Sequence, residues 1–232
     1  MSKTPTAWHT MHVTRVAQEG LHMRHLTLAP PRPFAFGCGQ YVQVKAEGEA
    51  RPGYFAIASA PEQPQDVELL VKEGDGVAGR LYAAAPGDPF EVSDPQGPGF
   101  PKDDLLGRNV ILIGVGSGIA PLRSVIQSIL ARRHDYGERV MLIYGARTPF
   151  HIPFRGEIAK WRAQIEVYKA MSRPGDADWS GYVGYVQQIL EGLDVPRENA
   201  IACVCGMSPM VEAVKARLKD LGIPEDDVYL NF

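Results

Sequence analysis

The chain has 232 residues, of which 45% are hydrophobic and 22% charged, with a formal net charge of −3. These are the proportions of an ordinary globular protein of one large or two small domains, and a slightly acidic balance excludes the basic surface of a nucleic-acid binder; the basic pair Arg132-Arg133 reads as a solvated helix end. The first residues carry no charged stretch followed by an apolar run, and no apolar run approaches the ~20 residues that span a bilayer, so a cytoplasmic protein without membrane insertion is expected. Three cysteines, Cys38, Cys203 and Cys205, fit a reducing compartment and fall short of both a disulfide framework and the four thiolates of a plant-type iron–sulfur cluster.

Up to about Lys102 the chain reads as short strands. Residues 12–18, 21–28, 40–46, 54–58, 67–72 and 90–93 are rich in Val, Leu, Ile and aromatics, and Pro/Gly clusters separate them. Short strands with turn chemistry at regular intervals predict an antiparallel barrel or sandwich. Gly74-Asp75-Gly76 leads into residues 77–85, which read as one short helix inserted between strands. Residues 94–101 form the expected linker, giving a division into residues 1–102 and 103–232.

From Asn109 the rhythm becomes strand, helix, strand. Residues 109–113, 139–144, 165–171, 200–204 and 227–230 are strand-like. Between them, Ile119, Leu122, Ile126, Ile129 and Leu130 share one helical face, as do Val183, Val186, Ile189, Leu190 and Leu193. Ser208-Pro209 reads as an N-cap followed by proline at the first helical position, opening a helix with Val211, Val214, Leu218 and Leu221 on one face, and Gly222 and Pro224 stop it. Such alternation predicts a parallel sheet with crossover helices and a ligand at the carboxyl ends of the strands.

A glycine loop, Gly114, Gly116, Ser117, Gly118, Ile119, Ala120 and Pro121, joins the first of these strands to its helix. Glycines there let a backbone approach a diphosphate at a helix N-terminus. The same residues also make a plain tight turn, and the spacing is neither G-x-G-x-x-G nor a P-loop.

The loop resembles the G-x-G-S/T-G-I/L-A-P nucleotide loop of the ferredoxin-NADP reductase superfamily, and further motifs follow in that family's order. Tyr144-Gly145 with Arg147 resembles its Y-G-x-R segment, and Glu157 with Trp161 its E-x-x-x-W helix. Ser172-Arg173 resembles the S-R at the adenosine ribose, and residues 181–186 its G-x-x-G-Y-V helix start. Cys205-Gly206, followed by Met207, resembles the C-G pair beside the nicotinamide ring. The resemblance implies an N-terminal FAD-binding β-barrel, a C-terminal NAD(P)-binding α/β domain, and the cofactors FAD and NAD(P)H.

In the first half, residues 51–59 resemble the flavin motif R-x-Y-S/T-x-x-S, with Phe55 at the aromatic position, Ala56 at the serine position near flavin N5, and Ile57, Ala58 and Ser59 completing it. Gly53 takes the arginine position, Arg51 lies two residues early, and Tyr54 is among the expected cofactor-binding residues. Gly76, Val77, Ala78 and Gly79 resemble the helix start whose amides meet the FAD diphosphate, with Arg80 as a second cation or a solvated helix residue. Phe232 corresponds to an aromatic that in family members lies against the flavin. Cys205 is a buried structural thiol or, by resemblance, the nicotinamide neighbour; with Ala56 and Phe232 it is the expected catalytic set.

No Ser-His-Asp elbow or H-E-x-x-H motif occurs, the six histidines are scattered, and no metal site is expected. Hydride transfer between two cofactors needs no side-chain acid–base set. The implied function is electron transfer between NAD(P)H and a separate acceptor or donor protein through FAD. The alternatives are a flavin reductase with diffusible flavin and a non-catalytic nucleotide-binding subunit.

Overall fold

The computed structural model describes residues 6–62, 66–175 and 178–231. In β1 (Trp8–Gln18), buried His9, Met11 and Val13 alternate with exposed Thr10, His12 and Thr14, the period-two pattern of a half-buried strand. A bulge between Val13 and Arg15 shifts its register against β2 (Met23–Ala29). β3 (Tyr41–Lys45), β4 (Gly53–Ala56) and β5 (Val67–Lys72) follow, then the helix α1 (Gly76–Ala83) and β6 (Pro89–Ser93). The strands pair antiparallel in the order β4-β3-β6-β1-β2-β5. Just past β4, Ile57 bridges to Leu69 and the Ala58 N–H donates to Glu68 O at 2.7 Å, so the two outer strands meet and the sheet closes as a barrel.

After a four-residue helix, α2 (Lys102–Leu105), the chain alternates. β7 (Asn109–Val115), α3 (Ile119–Ala131), β8 (Val140–Ala146), α4 (Arg155–Trp161) and β9 (Glu166–Met171) are followed by β10 (Tyr182–Val183) and α5 (Val186–Ile189). β11 (Ala200–Cys205), α6 (Ser208–Asp220) and β12 (Val228–Leu230) complete it. All six strands are parallel, in the order β10-β9-β8-β7-β11-β12. Both faces of this sheet are covered, which is why β7 reads Val110-Ile111-Leu112-Ile113 without alternation. Val110 and Leu112 pack toward α3 and α4; Ile111 and Ile113 pack toward α5 and α6. No helix among the described residues is long and apolar enough to cross a membrane.

Several boundaries differ from expectation for physical reasons. β1 starts at Trp8 because the stretch before His12 is paired with β6. β2 starts at Met23, since the turn before it puts His22 in the left-handed region at φ 62°. Val183 is not on a helical face: it lies in β10, exposed, and α5 spans only Val186–Ile189, with Leu190 and Leu193 buried beyond it. Met207, not Ser208, is the N-cap of α6, so Pro209 is at the second helical position.

One apolar core runs through both halves. Met23, Cys38, Ala58 and Leu70 of the barrel side pack with Ile119, Leu122 and Ile126 of α3. Within it Arg123, on α3, is only 4% exposed. Its guanidinium donates to Ala58 O at 2.8 Å and to Glu68 at 2.5 Å, and bidentately to Glu157 at 2.8 and 2.9 Å, and it stacks on Phe154 at 4.8 Å. His25 Nε2 sits 3.5 Å from Glu68, with its ring edge-on to Phe154. Burial opposes ionisation of Glu68, but the His25 ring and the Arg123 charge outweigh it and hold its pKa at about 2 rather than 4.5. A second seam joins Cys38 to Ser128 at 3.3 Å, and Ser128 donates to Glu62, which pairs with Lys102.

Replacing Arg123 with methionine should destabilise the fold by about 3–5 kcal/mol in urea denaturation, because it leaves Glu157 without its bidentate partner and Glu68 with only His25 in a largely buried seam. Since the Glu68 pKa is depressed in the folded chain, its contribution is complete above about pH 4.5 and lost as the pH falls toward about 2. A Glu68→Gln variant should show a flatter stability profile across that acid window.

Candidate active site

The strand order reverses between β7 and β11, because β7 connects onward through α3 on one face and β11 through α6 on the other. A crevice opens at the carboxyl ends of such a pair. Here β7 runs into a 3-10 turn over Gly116–Gly118, and β11 ends at Cys205, paired with Gly114. Gly116 has φ 55°. A Cβ on Gly118 would lie 2.4 Å from Cys205 O, so only glycine lets the turn pass this close to the strand end. The buried Tyr144 hydroxyl donates to Gly116 O at 2.8 Å and fixes the loop, and burial pushes its own pKa upward. The Ile119 N–H donates back to Gly116 O and Ser117 O, which leaves the amides at the head of the turn, Gly116 and Ser117, facing outward at a helix N-terminus.

A cleft of about 1110 Å³ lies between the halves. Gly116, Ser117, Gly118, Ala120 and Pro121 line it from the glycine loop, and Cys205, Gly206 and Met207 from the end of β11. Arg147 and Ser172 line it after β8 and β9. The barrel contributes Tyr54, Phe55, Ala56 and Ala78. Tyr54 is 65% exposed, whereas the Phe55 ring folds over Gly53, where a Cβ would come within 2.7 Å of it. The Ile57 N–H is taken by Gln40 O at 2.9 Å; by strand alternation Tyr54 and Ala56 turn their N–H groups away from β3.

Other expected residues lie off the cleft wall. Ile57, Ala58 and Ser59 are buried where the barrel closes, and the Ser59 hydroxyl bonds Asp66 O at 3.2 Å. Arg51 is exposed and does not line the cleft. In α1, Val77 is in the barrel core and the Gly79 N–H already donates to Asp75 O at 3.3 Å, so only the amides of Gly76, Val77 and Ala78 are open. The Glu49 carboxylate lies 3.4 Å from where a Gly76 Cβ would sit. Gly114 and Ile119 are buried beneath the loop, where a Gly114 Cβ would meet Leu122 at 2.7 Å. Arg173 is exposed beside Ser172, and Phe232 lies outside the described residues. The cleft also gathers His22, Lys72, Glu73 and His151, which no local pattern marked, because they meet only when the barrel docks on the sheet.

Cys205 is 9% exposed, and burial pushes its thiol up to about 12. It is therefore a neutral thiol near pH 7. The Gly116–Gly118 turn and the open amides of α1 are backbone cradles suited to two diphosphates, with apolar walls between them, which fits a pair of dinucleotides. No group of three or more His, Cys, Asp or Glu among the described residues is placed to hold a metal ion. Iodoacetamide should leave Cys205 unmodified in the native protein at neutral pH and label it on unfolding, read by mass spectrometry; rapid native labelling would contradict the buried neutral thiol.

The Oxidoreductase NAD-binding domain family matches residues 112–216. Ferredoxin--NADP reductase B of Sorangium cellulosum is 30% identical over 224 residues, covering 87% of each chain. Sulfhydrogenase 1 subunit gamma of Pyrococcus furiosus is 27% identical over 202 residues, covering 85% of this chain and 68% of that one. Among solved structures, the Amycolatopsis cytochrome P450 reductase GcoB superposes with a TM-score of 0.85 at 24% identity, covering 98% of this chain and 70% of that one, a likeness of fold. The chain belongs to the ferredoxin-NADP reductase-like family of NAD(P)H-dependent flavoprotein oxidoreductases.

Proposed function

We propose that this chain passes electrons from NADH or NADPH, through FAD, to a separate protein, with residues 1–102 holding FAD and 103–232 the nicotinamide nucleotide. The observation that carries this reading is the shared cleft: the glycine loop and Cys205 form one wall, and Tyr54 and Ala56 of the barrel form the other. Bound FAD supplies the chemistry that links a two-electron donor to an acceptor. The chain's task is to hold two rings in contact. Gly116 and Ser117 amides meet the diphosphate of the nicotinamide nucleotide, and the neutral Cys205 thiol lies against its ring without adding charge. On the barrel side, the Tyr54 and Phe55 rings give the flavin aromatic surface, Ala56 offers its backbone N–H, and the α1 amides meet the FAD diphosphate. The acceptor is a ferredoxin-like protein or a subunit of a redox complex, and the three free cysteines fit a reducing, cytoplasmic compartment.

A second reading, in which flavin diffuses on and off, draws on the exposed Arg51 and the Glu49 carboxylate beside the α1 start, both of which weaken a grip on a bound diphosphate. The visible spectrum separates the two. Purified protein should be yellow with about one flavin per chain, and anaerobic NADH or NADPH should bleach it. Colourless protein that reduces added flavin supports the diffusible reading, and a bound flavin that never bleaches defeats the electron-transfer reading.

A further inference from the structure

The chain just past β4 is held from three sides. The Ile57 N–H donates to Gln40 O at 2.9 Å, the Ala58 N–H donates to Glu68 O at 2.7 Å, and the Ala58 carbonyl accepts from Arg123 Nη1 at 2.8 Å. The first two bonds stay within the barrel; the third crosses to α3. Among the described residues it is the one hydrogen bond that the second half makes to residues 53–59. Two residues before Ala58, Ala56 lines the cleft with its N–H turned away from β3. Arg123 sits about one turn into α3, and the head of that helix is the Gly116–Gly118 turn on the opposite wall. Its guanidinium is thus bonded to one wall and built into the element that carries the other. Nε and Nη2 fork onto Glu157 of α4, Nη1 also meets Glu68 of β5, and the group stacks on the Phe154 ring. A planar fork with partners on four segments has one orientation that satisfies them all. An apolar contact in its place would be non-directional and would tolerate small slips between the halves.

We propose that Arg123 is a positioning residue for the redox reaction: through the Ala58 carbonyl it fixes the end of β4, and with it the Ala56 N–H and the Tyr54 wall, at a set offset from the glycine turn on its own helix. This rests on the electron-transfer reading above. Arg123 is buried and does not line the cleft, so it touches neither ring. Each wall grips its own dinucleotide with its own backbone amides, and binding does not need Arg123. The rate does, because reacting atoms must be held about 3–3.5 Å apart and a misplacement of about 1 Å costs about a hundredfold. A lysine at this place keeps the charge and can reach a carboxylate, but one ammonium has no fork with which to hold Glu157, Glu68 and the Ala58 carbonyl together. The halves then stay docked with the carbonyl released, which separates position from stability.

The test sets Arg123→Lys against a control, Leu218→Ala, which empties buried volume on α6 at the other face of the sheet. Flavin-loaded protein is mixed anaerobically with saturating NADH or NADPH and the bleaching rate is followed by stopped flow. Dissociation constants for FAD, NAD+ and NADP+ are measured alongside, and amide hydrogen exchange over residues 53–59, read by mass spectrometry, reports the backbone without turnover. Arg123→Lys is expected to bleach about tenfold to a hundredfold more slowly with its dissociation constants unchanged, and to exchange faster at residues 57–59 while α6 keeps its protection. Leu218→Ala should bleach at the wild-type rate although it is less stable. Glu157→Gln, which loosens the fork from its other side, should slow bleaching in the same way and serves where the lysine variant does not fold. Bleaching at the wild-type rate in the seam variants overturns the proposal, as does a slow rate that more nucleotide restores, or equal slowing in Leu218→Ala. Wild-type protein that holds flavin and never bleaches defeats the electron-transfer reading, and the positioning role falls with it.

Discussion

Arg123 carries a full charge into a seam where neither half of the chain alone could hold it. The barrel supplies Glu68 and the Ala58 carbonyl, the sheet side supplies Glu157 and the Phe154 ring, and the guanidinium's fixed fork meets all of them at once. A buried cation with that many partners has few tolerable alternatives, because any shift strands a carboxylate or a carbonyl out of water. The same helix, α3, begins at the glycine loop and packs its apolar face into the core shared by both halves. One element therefore packs against the barrel and carries the glycine turn, so the width of the cleft and the position of that turn are set together.

The cleft then follows from strand order and from what glycine allows. Reversal between β7 and β11 opens a crevice, and the approach of Gly118 to Cys205 O leaves no room for any side chain between turn and strand. Cys205 is held there as a neutral, uncharged thiol. On the barrel wall, alternation along β4 sends Tyr54 and Ala56 one way and Phe55 and Ile57 the other, so two adjacent aromatics have different surroundings. The barrel wall is the less regular of the two: Arg51 stays in solvent, and Glu49 sits near the start of α1.

Much of the second half was legible because its signals are local. The run Val110 to Ile113 reads as a strand buried on both faces, the glycines after it as a tight turn, and the spacing from Ile119 to Ile129 as one helical face; each depends only on near neighbours along the chain. The misread elements are those where tertiary context overrides that spacing. Val183 shares a helical period with Val186 and Ile189, yet it joins the sheet edge as β10, pairing with Met171. Ser208 has the chemistry of an N-cap, yet the backbone enters the helix one residue earlier, with Met207 as the N-cap.

By itself the sequence determined the two architectures, the order of the strands along the chain, the glycine turn and the family to which the chain belongs, because period, turn chemistry and motif spacing are properties of contiguous residues. Only the tertiary structure decided which residues share the cleft. Lys72 and His151 stand 79 positions apart in the sequence and meet only because Arg123 and its carboxylates dock the barrel on α3. Contacts between distant segments depend on how faces pack, and no local pattern encodes the direction from which a second domain arrives.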